Sequence, residues 1–308
     1  MVKKVKIVEV GVRDGLQNEA VPLSVETRLE MINDLVEAGL KHIEVGAFVS
    51  PKWVPQMKGT SEIVATLKHN SSPKVFASHY SVLVPNLRGM EDALKSGIKE
   101  VAIFGSCSEG FSKRNINCTI KESFSRFHEV MDVAKKHKIR VRGYLSTAFG
   151  CPYDGDVSST YVVKLVEKML DLGVYEVSIG DTIGVAVPSD VRELLKKLSS
   201  RNIPFHQIAM HFHDTRGTAL ANVLASLDLG IRVFDSSVGG LGGCPYAEGA
   251  LGNLATEDLA YMLQKMGYKT DLNIEKLIEI RKWISRKLDR PLPSHVGVAG
   301  LPKQKPFL

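Results

Sequence analysis

The chain has 308 residues, 44% of them hydrophobic and 24% charged, which is ordinary composition for a soluble globular protein with material for a sizeable core. Its formal net charge of +6 suits an anionic partner such as a phosphate-bearing substrate. The basic residues are scattered, with no arm or dense Lys/Arg stripe, so nucleic acid is not an expected partner. No apolar run reaches the roughly 18 residues of a membrane span, so no membrane association is expected.

The start, Met1-Val2-Lys3-Lys4, leads straight into the apolar run Val5 to Val10, and no signal or transit peptide is expected. From there β-rich runs alternate with amphipathic helical stretches. Strands are expected near 5–10, 42–48, 74–80, 99–105, 140–146, 175–180, 208–213 and 233–238. Helices are expected near 24–38, 60–69, 86–96, 121–137, 158–172, 189–200, 217–229 and 254–266. Gly39, Gly97, Gly173, Gly230 and Gly267 follow helix ends, Ser24 and Ser158 read as N-caps, and Pro188-Ser189 opens a helix. Eight such units in about 265 residues predict an α/β fold, a closed (β/α)8 TIM barrel, over 1–270. No G-x-G-x-x-G follows the first strand, which argues against an open doubly wound sheet. Residues 271–308 are expected to add one helix, near 273–288, packed on the barrel, and an irregular tail after Pro291. Cys107, Cys118, Cys151 and Cys244 are widely spaced, with no C-x-x-C pair, and predict a reduced, cytoplasmic setting.

In a parallel barrel the chemistry belongs at the carboxyl ends of the strands. Arg13 and Asp14 follow the first strand. The pair is either a structural ion pair or a working one, with Asp14 offering an oxygen to a metal and Arg13 a fixed cation to developing negative charge. Glu44 points opposite to Ile43 and Val45. A carboxylate facing the barrel interior is costly alone, and pairing with Arg13 would satisfy both groups. Asp181 ends the sixth strand, as a turn residue or as a polar group at the mouth. On the seventh, His211 and His213 sit at i and i+2 and aim both imidazoles at one point, which suits a metal ion. After the eighth comes a glycine-rich loop carrying Cys244, a candidate reactive thiol. Asn253 either caps the next helix or gives its amide oxygen to a metal. Asp14, His211, His213 and Asn253 form an oxygen and nitrogen set without thiolate, which favours Mg2+ or Mn2+, with Zn2+ or Co2+ as substitutes. No organic cofactor is expected.

Several segments resemble one family: R-D-G-L-Q-N-E at 13–19, F-V-S-P-K-W-V-P-Q-M at 48–57, N-I-N-C at 115–118, G-C-P-Y at 150–153, G-D-T-I-G at 180–184, H-F-H-D-T-R-G at 211–217 and G-G-L-G-G-C-P-Y-A at 239–247. Together they look like 3-hydroxy-3-methylglutaryl-CoA lyase of the bacterial type, within the metal-dependent aldolase-type TIM barrels, over residues 5 to about 265. The resemblance implies cleavage of hydroxymethylglutaryl-CoA to acetyl-CoA and acetoacetate. It implies Asp14, His211, His213 and Asn253 as metal ligands, and Arg13, Glu44, Asp181, His211 and Cys244 as the catalytic set. It implies Arg13, Gln17, Tyr144 and Thr182 as substrate-binding residues, with Asp181 or His211 as base and Cys244 as proton donor. A CoA thioester substrate and a homodimer are expected. Lys52, Lys113, Arg114 and Lys121 are each either plain surface residues or contacts to CoA phosphates. Residues 44–48 read Glu-Val-Gly-Ala-Phe where some relatives are polar before the Phe, a departure near the acyl chain. The alternative is a Claisen-type synthase joining an acyl-CoA to a 2-oxo acid on the same metal barrel. That group carries a different strand-eight loop.

Overall fold

In the computed structural model, which describes residues 4–243 and 252–302, eight parallel strands close into a barrel in chain order. They are β1 (Lys6–Glu9), β2 (Ile43–Ala47), β3 (Tyr80–Leu83), β4 (Glu100–Ser106), β5 (Arg140–Ser146), β6 (Glu176–Asp181), β7 (Ile208–Phe212) and β8 (Val233–Ser236). Every residue of β2, β6 and β8 is buried. Parallel strands need this, because crossover helices cover the barrel and side chains fill it.

The helical layer consists of α1 (Val25–Glu37), α2 (Thr60–Asn70), α3 (Pro73–His79), α4 (Leu87–Ser96), α5 (Glu109–Ile116), α6 (Ile120–His137), α7 (Ser159–Leu172), α8 (Pro188–Ser200), α9 (Ala219–Asp228) and α10 (Thr256–Lys265). The longer helices turn an apolar stripe inward; α7, for example, buries Val162, Val163, Leu165, Val166 and Met169. The Ser24 hydroxyl caps α1 by accepting the Thr27 amide at 3.2 Å. Ser158 holds the corresponding place before α7 but makes no side-chain cap bond. The five glycines read as helix stops all take positive φ.

Two expectations need correction. Residues 74–79 are not part of a strand: Ser72 caps and Pro73 opens the one-turn-plus helix α3, and β3 starts only at Tyr80. The apolar Val75-Phe76-Ala77 run hid a Ser-Pro helix start. The tail after Pro291 is not wholly irregular, because α12 (His295–Ala299) forms there after α11 (Ile274–Lys287). Ser294 caps α12 by accepting the Gly297 amide at 2.9 Å, and the Asp258 carboxylate, 37 and 38 residues away, reinforces the start by accepting the amides of His295 and Val296. Packing places α11 against α1 and α10. Among the described residues no helix is long and apolar enough to cross a membrane.

Candidate active site

Strand register brings the chemistry to one end. Gly180, His211 and Asp235 lie side by side on β6, β7 and β8. Immediately after β1 the chain makes one π-helical turn, Gly11–Gly15. A Cβ on Gly11 would strike the Glu9 carboxylate and the Ser237 hydroxyl, and one on Gly15 would strike Leu241. Glycine at both positions lets this turn lie directly on the segment after β8. The turn swings Arg13 inward, leaving it 3% exposed.

Arg13 Nε donates to Glu44 Oε1, and Nη1 donates to Asp14 Oδ1 at 2.7 Å. Glu44 is fully buried and accepts the Tyr144 hydroxyl at 3.1 Å on its other oxygen. Burial opposes the charge on Arg13, and Glu44 and then Asp14 more than restore it. The Tyr144 hydroxyl, raised well above its ordinary range by burial and Glu44, stays protonated and donates. It also accepts Arg142 Nη1 at 2.9 Å.

Arg142 carries the network across the barrel. Its Nη2 donates to Asp235 Oδ1 at 2.7 Å, and its Nε donates to Glu176 at 2.7 Å. The Ser178 hydroxyl donates to Asp235 Oδ2 at 2.6 Å. Burial pushes the Asp235 carboxyl up, but Arg142 and then His211 outweigh it and hold it well below the carboxylate range. An ionised Asp235 can only accept, so the proton of His211 belongs on Nδ1, 3.3 Å away. The other nitrogen, Nε2, then offers a lone pair and lies 4.0 Å from Asp14 Oδ2.

Asp14, His211 and His213 each place a ligand atom within 4.8 Å of the others. Burial opposes ionisation of Asp14, yet Arg13, then His211 and His213, keep its carboxyl below the ordinary range. Burial lowers His213 to about 4, which keeps it neutral as a metal ligand must be. Two buried atoms here have no hydrogen-bond partner among the described residues, His213 Nδ1 and Asn253 Oδ1. Buried polar atoms are normally satisfied, and these two are the atoms of this cluster left open. The Asn253 Nδ2 donates to Asp14 Oδ2 at 2.9 Å and to the Leu241 carbonyl at 3.0 Å, so its nitrogen, not its oxygen, faces Asp14.

Arg13, Asp14, Tyr144, His211 and His213 line one cavity, and Gln17 and Thr182 join them. The Thr182 hydroxyl also accepts the Thr147 amide at 2.8 Å. Asp181 is not among the lining residues. Its two oxygens accept the amides of Val185 and Ala186 at 3.0 Å each, the turn alternative open in the sequence. Cys244 lies outside the described residues. Sequence reasoning passed over Asp235, Arg142 and Ser178, and also Asn18, Phe104, Phe111 and Asn115, which line the same cavity. Arg142 and Tyr144 at i and i+2 on an expected strand were the available signal, since an interior arginine needs a carboxylate partner.

Comparison with known proteins gives the chain a family. The chain is 50% identical over 98% of its length to a 3-hydroxy-3-isohexenylglutaryl-CoA/hydroxymethylglutaryl-CoA lyase of Pseudomonas aeruginosa, and the match covers 98% of that protein. A crystal structure of hydroxymethylglutaryl-CoA lyase from the same organism superposes with a TM-score of 0.91 at 49% identity, over 97% of this chain and 98% of that one. An HMG-CoA lyase from Acinetobacter baumannii, solved with coenzyme A and 3-methylmalate, gives a TM-score of 0.91 at 34% identity over 99% and 98%. The HMGL-like family model matches residues 4–284, and the chain belongs to that family.

Proposed function

We propose that this chain is a divalent-metal-dependent lyase that cleaves the C2–C3 bond of (S)-3-hydroxy-3-methylglutaryl-CoA to acetyl-CoA and acetoacetate. The observation that carries this reading is the convergence of Asp14, His211 and His213 within 4.8 Å beside a buried Arg13–Glu44 pair, in a chain about half identical to lyases of that name. The donor set of Asp14, His211 and His213 suits Mg2+ or Mn2+, and Asn253 would join it once its side-chain amide turns over to bring Oδ1 to the Asp14 side. Such an ion supplies Lewis acidity that eases loss of the C3-hydroxyl proton.

The residues divide the remaining work. As the C3 hydroxyl becomes the ketone of acetoacetate, its proton leaves toward the acceptors of this pocket. Asp181 and His211 are the two acceptors for that proton: His211 lines the cavity, and Asp181, whose oxygens also take the Val185 and Ala186 amides, is raised by burial to about 6. Because Asp235 occupies Nδ1, Nε2 is the one His211 atom open to the cation or to a proton, one at a time. The C2–C3 electrons pass to C2 and the thioester carbonyl as an enolate. Glu44 and Asp14 hold Arg13 by Nε and Nη1, which aims the rest of the guanidinium at that charge. Gln17, Tyr144 and Thr182 orient the substrate. Cys244 returns a proton to C2, a role that rests on the sequence resemblance. Lys113 and Arg114 on α5 stand next to the cavity-lining Asn115 and suit CoA phosphates.

The deciding experiment is incubation with hydroxymethylglutaryl-CoA and Mg2+. Equimolar acetoacetate and acetyl-CoA are expected. Release of free CoA from acetyl-CoA and a 2-oxo acid, with no cleavage, would establish the synthase alternative instead.

A further inference from the structure

Two buried carboxylates that the reaction does not use grip consecutive backbone amides at the edge of the site. Glu9 Oε1 accepts the Val238 amide at 2.9 Å, and Glu257 accepts the Gly239 amide at 2.9 and 3.1 Å. Both side chains are fully buried. Neighbours Val8 and Val10 join Ala209 and Val233 in one apolar cluster, so Glu9 points to the opposite face of β1, toward the helices. There it holds two more segments. Its Oε1 also accepts the Gly11 amide at 2.9 Å, and its Oε2 accepts the Thr256 hydroxyl at 2.6 Å. Gly11 begins the turn that displays Arg13 and Asp14, Thr256 follows Asn253 by three residues, and Val238 begins the turn that ends at the Leu241 carbonyl holding Asn253. Among the described residues neither carboxylate makes an ion pair, and burial pushes each up to about 7. What holds each carboxylate in place is the set of bonds that it accepts.

We propose that Glu9 and Glu257 are positioning residues, a clasp whose reach fixes the turns carrying Arg13, Asp14 and Asn253 to the segment Val238–Leu241. This rests on the metal-dependent reading above. The clasp acts by length and acceptor geometry. Glu9→Asp and Glu257→Asp keep the carboxylate but draw it back by one methylene; Glu9→Gln and Glu257→Gln keep the reach and remove the ionisable group. For Glu9→Gln the amide NH2 can donate to Thr256 Oγ1, whose proton turns to Ser236 Oγ, 2.8 Å away.

The test uses full-length protein stripped with EDTA and titrated with MnCl2, free Mn2+ being read by electron paramagnetic resonance, together with amide hydrogen exchange over residues 238–240. Each Asp variant is expected to weaken Mn2+ binding by about tenfold or more and to speed exchange, while each Gln variant stays within about twofold of wild type. Asp variants that match wild type in both readouts, or Gln variants that lose as much as the Asp ones, overturn the clasp. Should an Asp variant fail to fold, its Gln counterpart still decides, since a tenfold loss there contradicts the proposal. A wild-type protein that makes no acetoacetate overturns the lyase reading and leaves both of these readouts intact.

Discussion

Asp235 on β8 stands 3.3 Å from Nδ1 of His211 on β7, while Arg142 and Ser178 hold its carboxylate from the other side. Behind an imidazole that faces Asp14, this arrangement fixes the tautomer and the ring orientation at once. Asp235→Asn can present its amide nitrogen to Nδ1 and reverse the tautomer. Mn2+ affinity is expected to fall by about 10–100-fold, with a cooperative unfolding transition retained. Calorimetric titration of the apoprotein checks this; unchanged affinity contradicts the assignment.

Arg13 offers a planar fork, with Nε on Glu44 and Nη1 on Asp14. Lysine supplies the charge without the fork. Arg13→Lys is therefore expected to lower kcat by roughly 10²–10³-fold, close to the loss in Arg13→Ala. Steady-state kinetics of the two variants side by side decides it, and near-normal turnover in the lysine variant refutes the geometry.

For Cys244→Ser, the loss of a general acid predicts a fall in turnover of about 10²–10⁴-fold with the fold intact. Exchange of solvent deuterium into the methyl group of acetyl-CoA should slow in parallel. A full-rate serine variant removes the proton-donor role.

Glu9 makes a prediction about pH. Burial raises its carboxyl from 4.5 to about 7 in the folded protein. Between those values the folded chain holds a proton that the unfolded chain has released, so this group's contribution to stability declines as pH rises through that window. Glu9→Gln has no proton to lose. Relative to wild type it is expected to gain on the order of 1–3 kcal/mol between pH 4.5 and pH 8, measured by urea unfolding. A difference that does not vary with pH contradicts the buried, proton-holding state of Glu9.

The barrel was legible because its units repeat, with apolar strand runs, amphipathic stretches and glycine stops, and no single unit had to be read perfectly. The failures were local. At Pro73 a helix start lay just before an apolar run, and at α12 the local Ser294 cap is reinforced by Asp258 on a different helix. Arg13, Asp14, His211 and His213 were visible because each is a charged or ligating residue at an expected strand end, and Glu44 because a carboxylate inside an apolar strand needs a partner. Asp235 was missed because it is one acidic residue within a short strand, Val233–Ser236, and its partners Arg142, Ser178 and His211 come from three other strands. Glu9 was missed for a related reason: its value lies in backbone amides 2 and 229 residues away, and amides carry no sequence signature.

The most direct measurement is Mn2+ titration of EDTA-stripped protein, in wild type and in Asp14→Ala and His213→Ala, followed by electron paramagnetic resonance. One tightly bound ion per chain is expected in wild type, and its loss in either variant, because the three ligand atoms converge within 4.8 Å. Wild-type binding in both variants, or no binding by the wild-type chain, would place the metal elsewhere and contradict the site.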